Sequence, residues 1–154
     1  MEEALKDFYH HFPQIVAWGE MDAFGHVNNI VYFRYFESAR IAFLKAIDWW
    51  QDESHLEQHT GSGTNSEARI GPIISQISAR YRRAVYFPDH LIIGSRAEQI
   101  ESDRFILEHA IYSQSQKTLV TFGISTVVAY DYRIRKKALL PPTALAGIQK
   151  LQGS

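Results

Sequence analysis

Apolar positions recur along this chain in two different rhythms. Across residues 29 to about 49, Ile30, Phe33, Phe36, Phe43, Leu44 and Ile47 return at helical spacing, which predicts one long helix. Its charged residues are only Arg34, Glu37, Arg40, Lys45 and Asp48, so other structure should wrap most of it. Asn28, just ahead, is an N-cap candidate. On either side the rhythm becomes that of strands. Residues 12–18, with Ile15, Val16 and Trp18, read as a first strand, and residues 19–25 as a loop. Residues 51–69 are polar and rich in Ser, Glu, His and Gly, and read as a loop or a weak helix. Four further strands are expected at 73–85, 91–100, 105–113 and 119–131. Ser102-Asp103 and residues 114–117 supply the turns of an antiparallel meander. A basic strip, Arg133-Ile134-Arg135-Lys136-Lys137, follows. Pro141-Pro142 then leads into a short final helix over 143–151, with Pro142 tolerated in its first turn.

The expected fold class is therefore α+β: an antiparallel five-strand sheet wrapped around one long central helix, plus a short C-terminal helix. Each element then buries the other's apolar face. A curved open sheet exposes an edge strand, and pairing two protomers removes it, so a homodimer or homotetramer is expected.

Composition narrows the picture. The 154 residues point to one domain over 1–154, and 45% hydrophobic content supports a real core. A formal net charge of −1 provides no basic field for nucleic acid. No stretch approaches a membrane span, and the mixed-charge start Met1-Glu2-Glu3-Ala4-Leu5-Lys6-Asp7 lacks a signal-peptide apolar region, so a soluble cytoplasmic protein is expected. The absence of cysteine excludes disulfides, thiolate metal sites and a cysteine nucleophile. The seven histidines show no metal-ligand spacing, so no metal is expected.

The chemistry concentrates in the run 18–37, Trp-Gly-Glu-Met-Asp-Ala-Phe-Gly-His-Val-Asn-Asn-Ile-Val-Tyr-Phe-Arg-Tyr-Phe-Glu. An acid, Asp22, sits just before a glycine turn that opens into the helix. The carboxylate is thereby placed beside the positive end of a helix dipole, where backbone N–H groups can hold an oxyanion. The N–H groups around Gly25, His26 and Val27 are the candidates. Gly25 suits the turn because a missing Cβ allows positive φ.

The pattern D-x-x-G-H-V-N-N-x-x-Y-x-x-Y-x-E, Asp22 to Glu37, resembles the signature of hotdog-fold acyl-coenzyme A thioesterases of the 4-hydroxybenzoyl-CoA thioesterase-like family. The run from Tyr81-Arg82-Arg83 to Leu91 is similar to the family's second strand and following turn, and the element order matches over about 12–140. The resemblance implies a hotdog fold and a catalytic Asp22 that either attacks the thioester or activates water. It also implies an acyl-CoA substrate whose CoA is part of the substrate, so that no separate cofactor is needed, and a site between subunits. Residues near 71–76 of a partner are then expected to line the site opposite Asp22. His26 is a further catalytic candidate, with a structural or orienting role as the alternative. Asn29 and Tyr32 are candidates for substrate contact, with capping and core packing as their plainer roles. For the CoA phosphates the candidates are Arg80, Arg82, Arg83, Arg133, Arg135, Lys136 and Lys137, with Arg82 and Arg83 first. Glu37, with Arg34 and Arg40 at three-residue spacing on either side, is expected in an intrahelical or intersubunit ion pair rather than in acid–base catalysis. Two alternatives to acyl-CoA hydrolysis stay open at this point: an acyl-carrier-protein thioesterase and a non-catalytic hotdog protein that binds acyl thioesters.

Overall fold

A computed structural model describes residues 1–50 and 70–153. Strand β1 (His10–Ile15) leads through a 3-10 turn (Trp18–Glu20) to helix α1 (Val31–Ala46). Strands β2 (Ile70–Tyr81), β3 (His90–Glu98), β4 (Arg104–Ser113) and β5 (Thr118–Asp131) follow. A two-residue β6 (Lys136–Lys137) and helix α2 (Pro142–Gln152) complete the order. All strand pairs are antiparallel, in the order β1-β3-β4-β5-β2, with β6 on the far end of β5. This is the hotdog fold, five long strands curled around α1.

Tyr32, Tyr35, Phe36, Ala39, Phe43 and Leu44 form the buried stripe of α1. The stripe faces two apolar clusters. One joins the first half of α1 to Val16, Val27, Val85, Leu91, Ile93, Ile111 and Val120. The other joins its last turns to Phe105, Leu107, Val127 and Ala129, and to Leu140, Ala144 and Ile148 around α2. The inward positions of three strands also carry buried polar groups, namely Ser95, His109, Thr121 and Ser125. Gly123 lets α1 come close to the sheet, since a Cβ there would lie 2.6 Å from the Phe36 ring.

The expected elements all form, with different ends. The first strand runs 10–15 rather than 12–18, because the Glu20 side chain accepts the Ala17 N–H at 2.7 Å and turns the chain out of the sheet. Helix α1 starts at Val31 rather than Asn29. Asn28 Oδ1 accepts the Ile30 N–H at 3.1 Å, so Asn28 builds a turn ahead of the helix instead of capping it. The helix also ends before Trp49, because Asp48 (φ 59°) takes the left-handed conformation. Its N–H reaches the Lys45 carbonyl and that of Trp49 the Leu44 carbonyl, the paired bonds of a Schellman stop. Strand β2 runs 70–81 rather than 73–85. It stops where the N–H groups of Arg82 and Arg83 both donate to the Val120 carbonyl and draw the chain off the sheet. Strand β3 ends at Glu98, before the left-handed Gln99, rather than at residue 100. Strand β6, drawn from the basic strip, is an element that side-chain periodicity did not indicate. The polar segment 51–69 lies outside the described residues.

Candidate active site

Asp22 heads a tight turn closed by its own backbone. Its N–H donates to the His26 carbonyl at 2.8 Å, and its carbonyl accepts the Gly25 N–H at 3.1 Å. Gly25 takes φ 83°, which a side chain would strain. Met21 bridges to Val27 across the base of the turn. The carboxylate is fixed as well. Oδ1 accepts the Phe24 N–H at 2.8 Å, and Oδ2 lies 3.3 Å from His26 Nδ1. That same nitrogen is 3.3 Å from the Val27 carbonyl, and the Phe24 ring stacks on the imidazole.

The backbone hydrogen bonds of the turn differ from what the expected oxyanion donors require. The Gly25 N–H is engaged by Asp22, and the Val27 N–H donates to Val85 at 2.8 Å, so neither is free to meet a substrate oxygen. Among the described residues the N–H groups of His26 and Asn29 have no acceptor. The geometry of Asn29 follows from its neighbours. The Asn28 carbonyl accepts the Val31 N–H at 2.9 Å. In a trans peptide N–H and C=O point in opposite directions, so the Asn29 N–H is turned away from the helix.

An open cleft of about 220 Å³ adjoins this turn, lined by His26, Val27, Asn29, Tyr32, Tyr81, Arg82, Arg83 and Ala84. Six of the eight expected site residues thus share one surface, while Asp22 and Gly25 stand off its wall. Asp22 approaches the cleft through His26. The Arg82 guanidinium lies 5.6 Å from the centre of the Phe122 ring, and Arg83 is exposed. Residues 133–137 are elsewhere. Tyr81 pairs with Thr121 but Lys136 pairs with Asp131, ten residues along β5. At about 3.3 Å per residue that is roughly 33 Å. Within one chain this basic strip and the Arg82-Arg83 pair cannot meet the same phosphates. Arg40 does not bridge to Glu37 either, but donates to Ser125 Oγ at 3.2 Å. Among the described residues no three of His, Cys, Asp and Glu gather as metal ligands do.

Sequence reasoning passed over three residues that touch this site. Tyr81 Oη donates to the Asn29 carbonyl at 2.7 Å, and its ring meets Tyr32 edge-on at 5.0 Å. Tyr35 Oη donates to Glu20 Oε1 at 2.8 Å. Burial, followed by the Glu20 carboxylate, pushes the Tyr35 hydroxyl well above the usual tyrosine range, so it remains a donor. Burial also raises Tyr32 and Tyr81. Strand parity was the available signal for Tyr81, which follows the inward Ala79 by two positions.

The sequence matches the family described as Thioesterase-like superfamily over residues 16–148. The long-chain acyl-CoA thioesterase FadM of Escherichia coli (strain K12) is 27% identical over 120 residues, which are 78% of this chain and 82% of that protein. The PA5185 protein of Pseudomonas aeruginosa PAO1 superposes with a TM-score of 0.79 at 20% identity, covering 96% of this chain and 94% of the other. A Thermus thermophilus thioesterase solved with coenzyme A and Zn gives 0.75 at 23% identity, covering 97% and 98%. A sheet wound around one long helix is thus shared with these solved structures, and the chain belongs to the thioesterase-like superfamily as a hotdog-fold thioester hydrolase.

Proposed function

We propose that this protein hydrolyses acyl-CoA thioesters to the free acid and CoA. In this reading the chain acts in the cytoplasm as one hotdog unit per protomer of a homo-oligomer, and uses no cofactor beyond the CoA of its substrate. The observation that carries the reading is the meeting of three features around one cleft: the Asp22 turn, the unengaged N–H groups of His26 and Asn29, and the Arg82-Arg83 pair.

The thioester carbonyl sits at the start of α1. Its oxygen gains charge as water adds to the carbon, and the His26 and Asn29 N–H groups hold that charge, aided by the helix dipole. Asp22 takes the proton from the attacking water. Its place behind His26 favours this water-mediated role over direct attack. The C–S bond then breaks, and the CoA thiolate leaves and takes up the proton held by Asp22, which restores the carboxylate. Tyr32 and Val27 face the acyl group, while Arg82 and Arg83 meet the phosphates. Strand β2 supports the oligomer: it is the terminal strand of the sheet, and Ile73, Ile77 and Tyr81 on it are exposed.

Thiol release from a panel of short, long and aromatic acyl-CoAs, with acyl-carrier-protein substrates alongside, tests the reading. Asp22→Asn should lose at least ~10²-fold in kcat. Single turnover in ¹⁸O-water should label the product acid and leave Asp22 unlabelled. Full activity in Asp22→Asn removes Asp22 from the chemistry, label on Asp22 makes it the nucleophile, and turnover of carrier-protein substrates alone replaces CoA as the substrate.

A further inference from the structure

Both ends of the catalytic turn are held by tyrosine hydroxyls that come from different elements. From the core, Tyr35 donates to Glu20 Oε1 at 2.8 Å, and the same oxygen accepts the Ala17 N–H at 2.7 Å. The Glu20 carbonyl accepts the Asn28 N–H at 3.0 Å. One residue therefore ties the strand exit, the helix and the far side of the turn together, two positions ahead of Asp22. From the sheet edge, Tyr81 donates to the Asn29 carbonyl at 2.7 Å. Tyr32 lies between the two, its ring edge-on to Tyr35 at 5.9 Å and to Tyr81 at 5.0 Å. The three rings form a continuous row from Glu20 to Asn29.

The two bonds act on the orientation of single peptides. Asn28 Oδ1 holds the N–H of the Asn29–Ile30 peptide, and Tyr81 holds its C=O. The preceding peptide is held at its carbonyl by Val31. Between these points the Asn29 N–H has no freedom to swing. Tyr81 is 41% exposed, so water could satisfy its hydroxyl, and its bond to Asn29 adds little to overall stability. What the bond does supply is direction, and misplacing a reacting group by about 1 Å can cost ~10²-fold in rate.

We propose that Tyr81 and the Glu20–Tyr35 pair are positioning residues that hold the Asn29 N–H and Asp22 in register for thioester hydrolysis. The proposal rests on the thioester-site reading above. None of the three touches the reacting atoms, so their loss should lower kcat and leave substrate binding and the pH profile in place.

The experiment measures kcat, KM and the pH profile for Tyr81→Phe, Tyr35→Phe, Glu20→Ala and Glu20→Gln. Melting temperature and the affinity of a thioether acyl-CoA analogue are measured in parallel. Tyr81→Phe should lose about tenfold in kcat, with KM and analogue affinity within about twofold. Glu20→Ala should lose more, and Glu20→Gln should recover most of it, because an amide oxygen still accepts both bonds. In ¹⁵N-labelled protein the Asn29 amide resonance should be single and sharp in the wild type and broadened in Tyr81→Phe, a readout independent of turnover. Wild-type kcat in both Tyr81→Phe and Glu20→Ala overturns the proposal, as does a loss that only follows the fraction unfolded. If Asp22→Asn is inactive while these variants are not, the site reading stands and the positioning proposal falls. If Asp22→Asn is active while they lose kcat at constant KM, positioning of the Asn29 N–H stands and Asp22 leaves the chemistry.

Discussion

Arg82 and Arg83 sit side by side where β2 leaves the sheet, on the wall of the cleft and far from the other basic cluster. Phosphate contacts at an exposed arginine pair should serve binding more than the chemical step. Replacing both by Gln should therefore raise KM for acyl-CoA by roughly tenfold at low salt with kcat little changed, and flatten the salt dependence of KM. The same replacement at Arg133 and Arg135 should alter neither. His109 is the other telling residue. It is fully buried, its Nδ1 lies 2.8 Å from Ser95 Oγ, and Phe36 stacks on its ring. Burial, with the charge of Arg40 second, pulls its pKa down to about 3. The folded value lies below the unfolded value of 6.5, so the unfolded chain binds the extra proton. His109 therefore leaves stability intact above pH 6.5 and removes about 1.4 kcal/mol per pH unit as pH falls from 6.5 toward 3. Denaturant unfolding across that range should show this slope, and a folded His109→Gln variant should flatten it. The burial of His109 was legible, since it alternates inward with Phe105, Leu107 and Ile111. Its neutrality follows first from that burial, and only the added push of Arg40, arriving from a helix distant in sequence, leaves no trace in the strand pattern.

Elements were legible where side chains repeat and illegible where backbone groups decide. The recurrence of Phe33, Phe36, Phe43, Leu44 and Ile47 announces α1, although Ile30, counted in the same register, stands ahead of the helix and is 71% exposed, and alternation announces the meander. The ends of these elements rest on Asn28 Oδ1, the left-handed Asp48 and the shared Val120 carbonyl, none of which leaves a periodic trace. The site divides the same way. The Asp22 motif brought His26, Asn29 and Tyr32 together, whereas the engagement of the Gly25 and Val27 N–H groups required Asp22 and Val85 to be in place. Close packing of α1 on the sheet also turns on one position. Gly123→Ala would drive a methyl into the Phe36 ring, forcing helix and sheet apart at a cost of about 1–3 kcal/mol. Thermal unfolding should show that loss, and an unshifted Tm would mean the ring rotates aside freely.

Strand β2 is the edge at which the whole molecule can extend. Its twelve residues form the outer strand of the sheet, with backbone groups along one side left unpaired by the described strands. Ile73 and Ile77 are 38% and 45% exposed. A second copy added there would continue the sheet and cover both side chains. The double variant Ile73→Lys, Ile77→Lys should then run as a monomer in light scattering, and an unchanged mass would place the contact elsewhere. Because Tyr81 is the last residue of the same strand, such a monomer should also lose turnover.

Buried Ser95 and His109 lie where β3 and β4 pass from one apolar cluster to the other, so helix α1 is shared by two compartments with different duties. One carries the cleft, and the other is closed by α2. A lineage could therefore enlarge or reshape the cleft beside Tyr32 and Val27, the face proposed for the acyl group, while the α2 half keeps the chain folded. A division of this kind lets substrate preference drift without first rebuilding the scaffold.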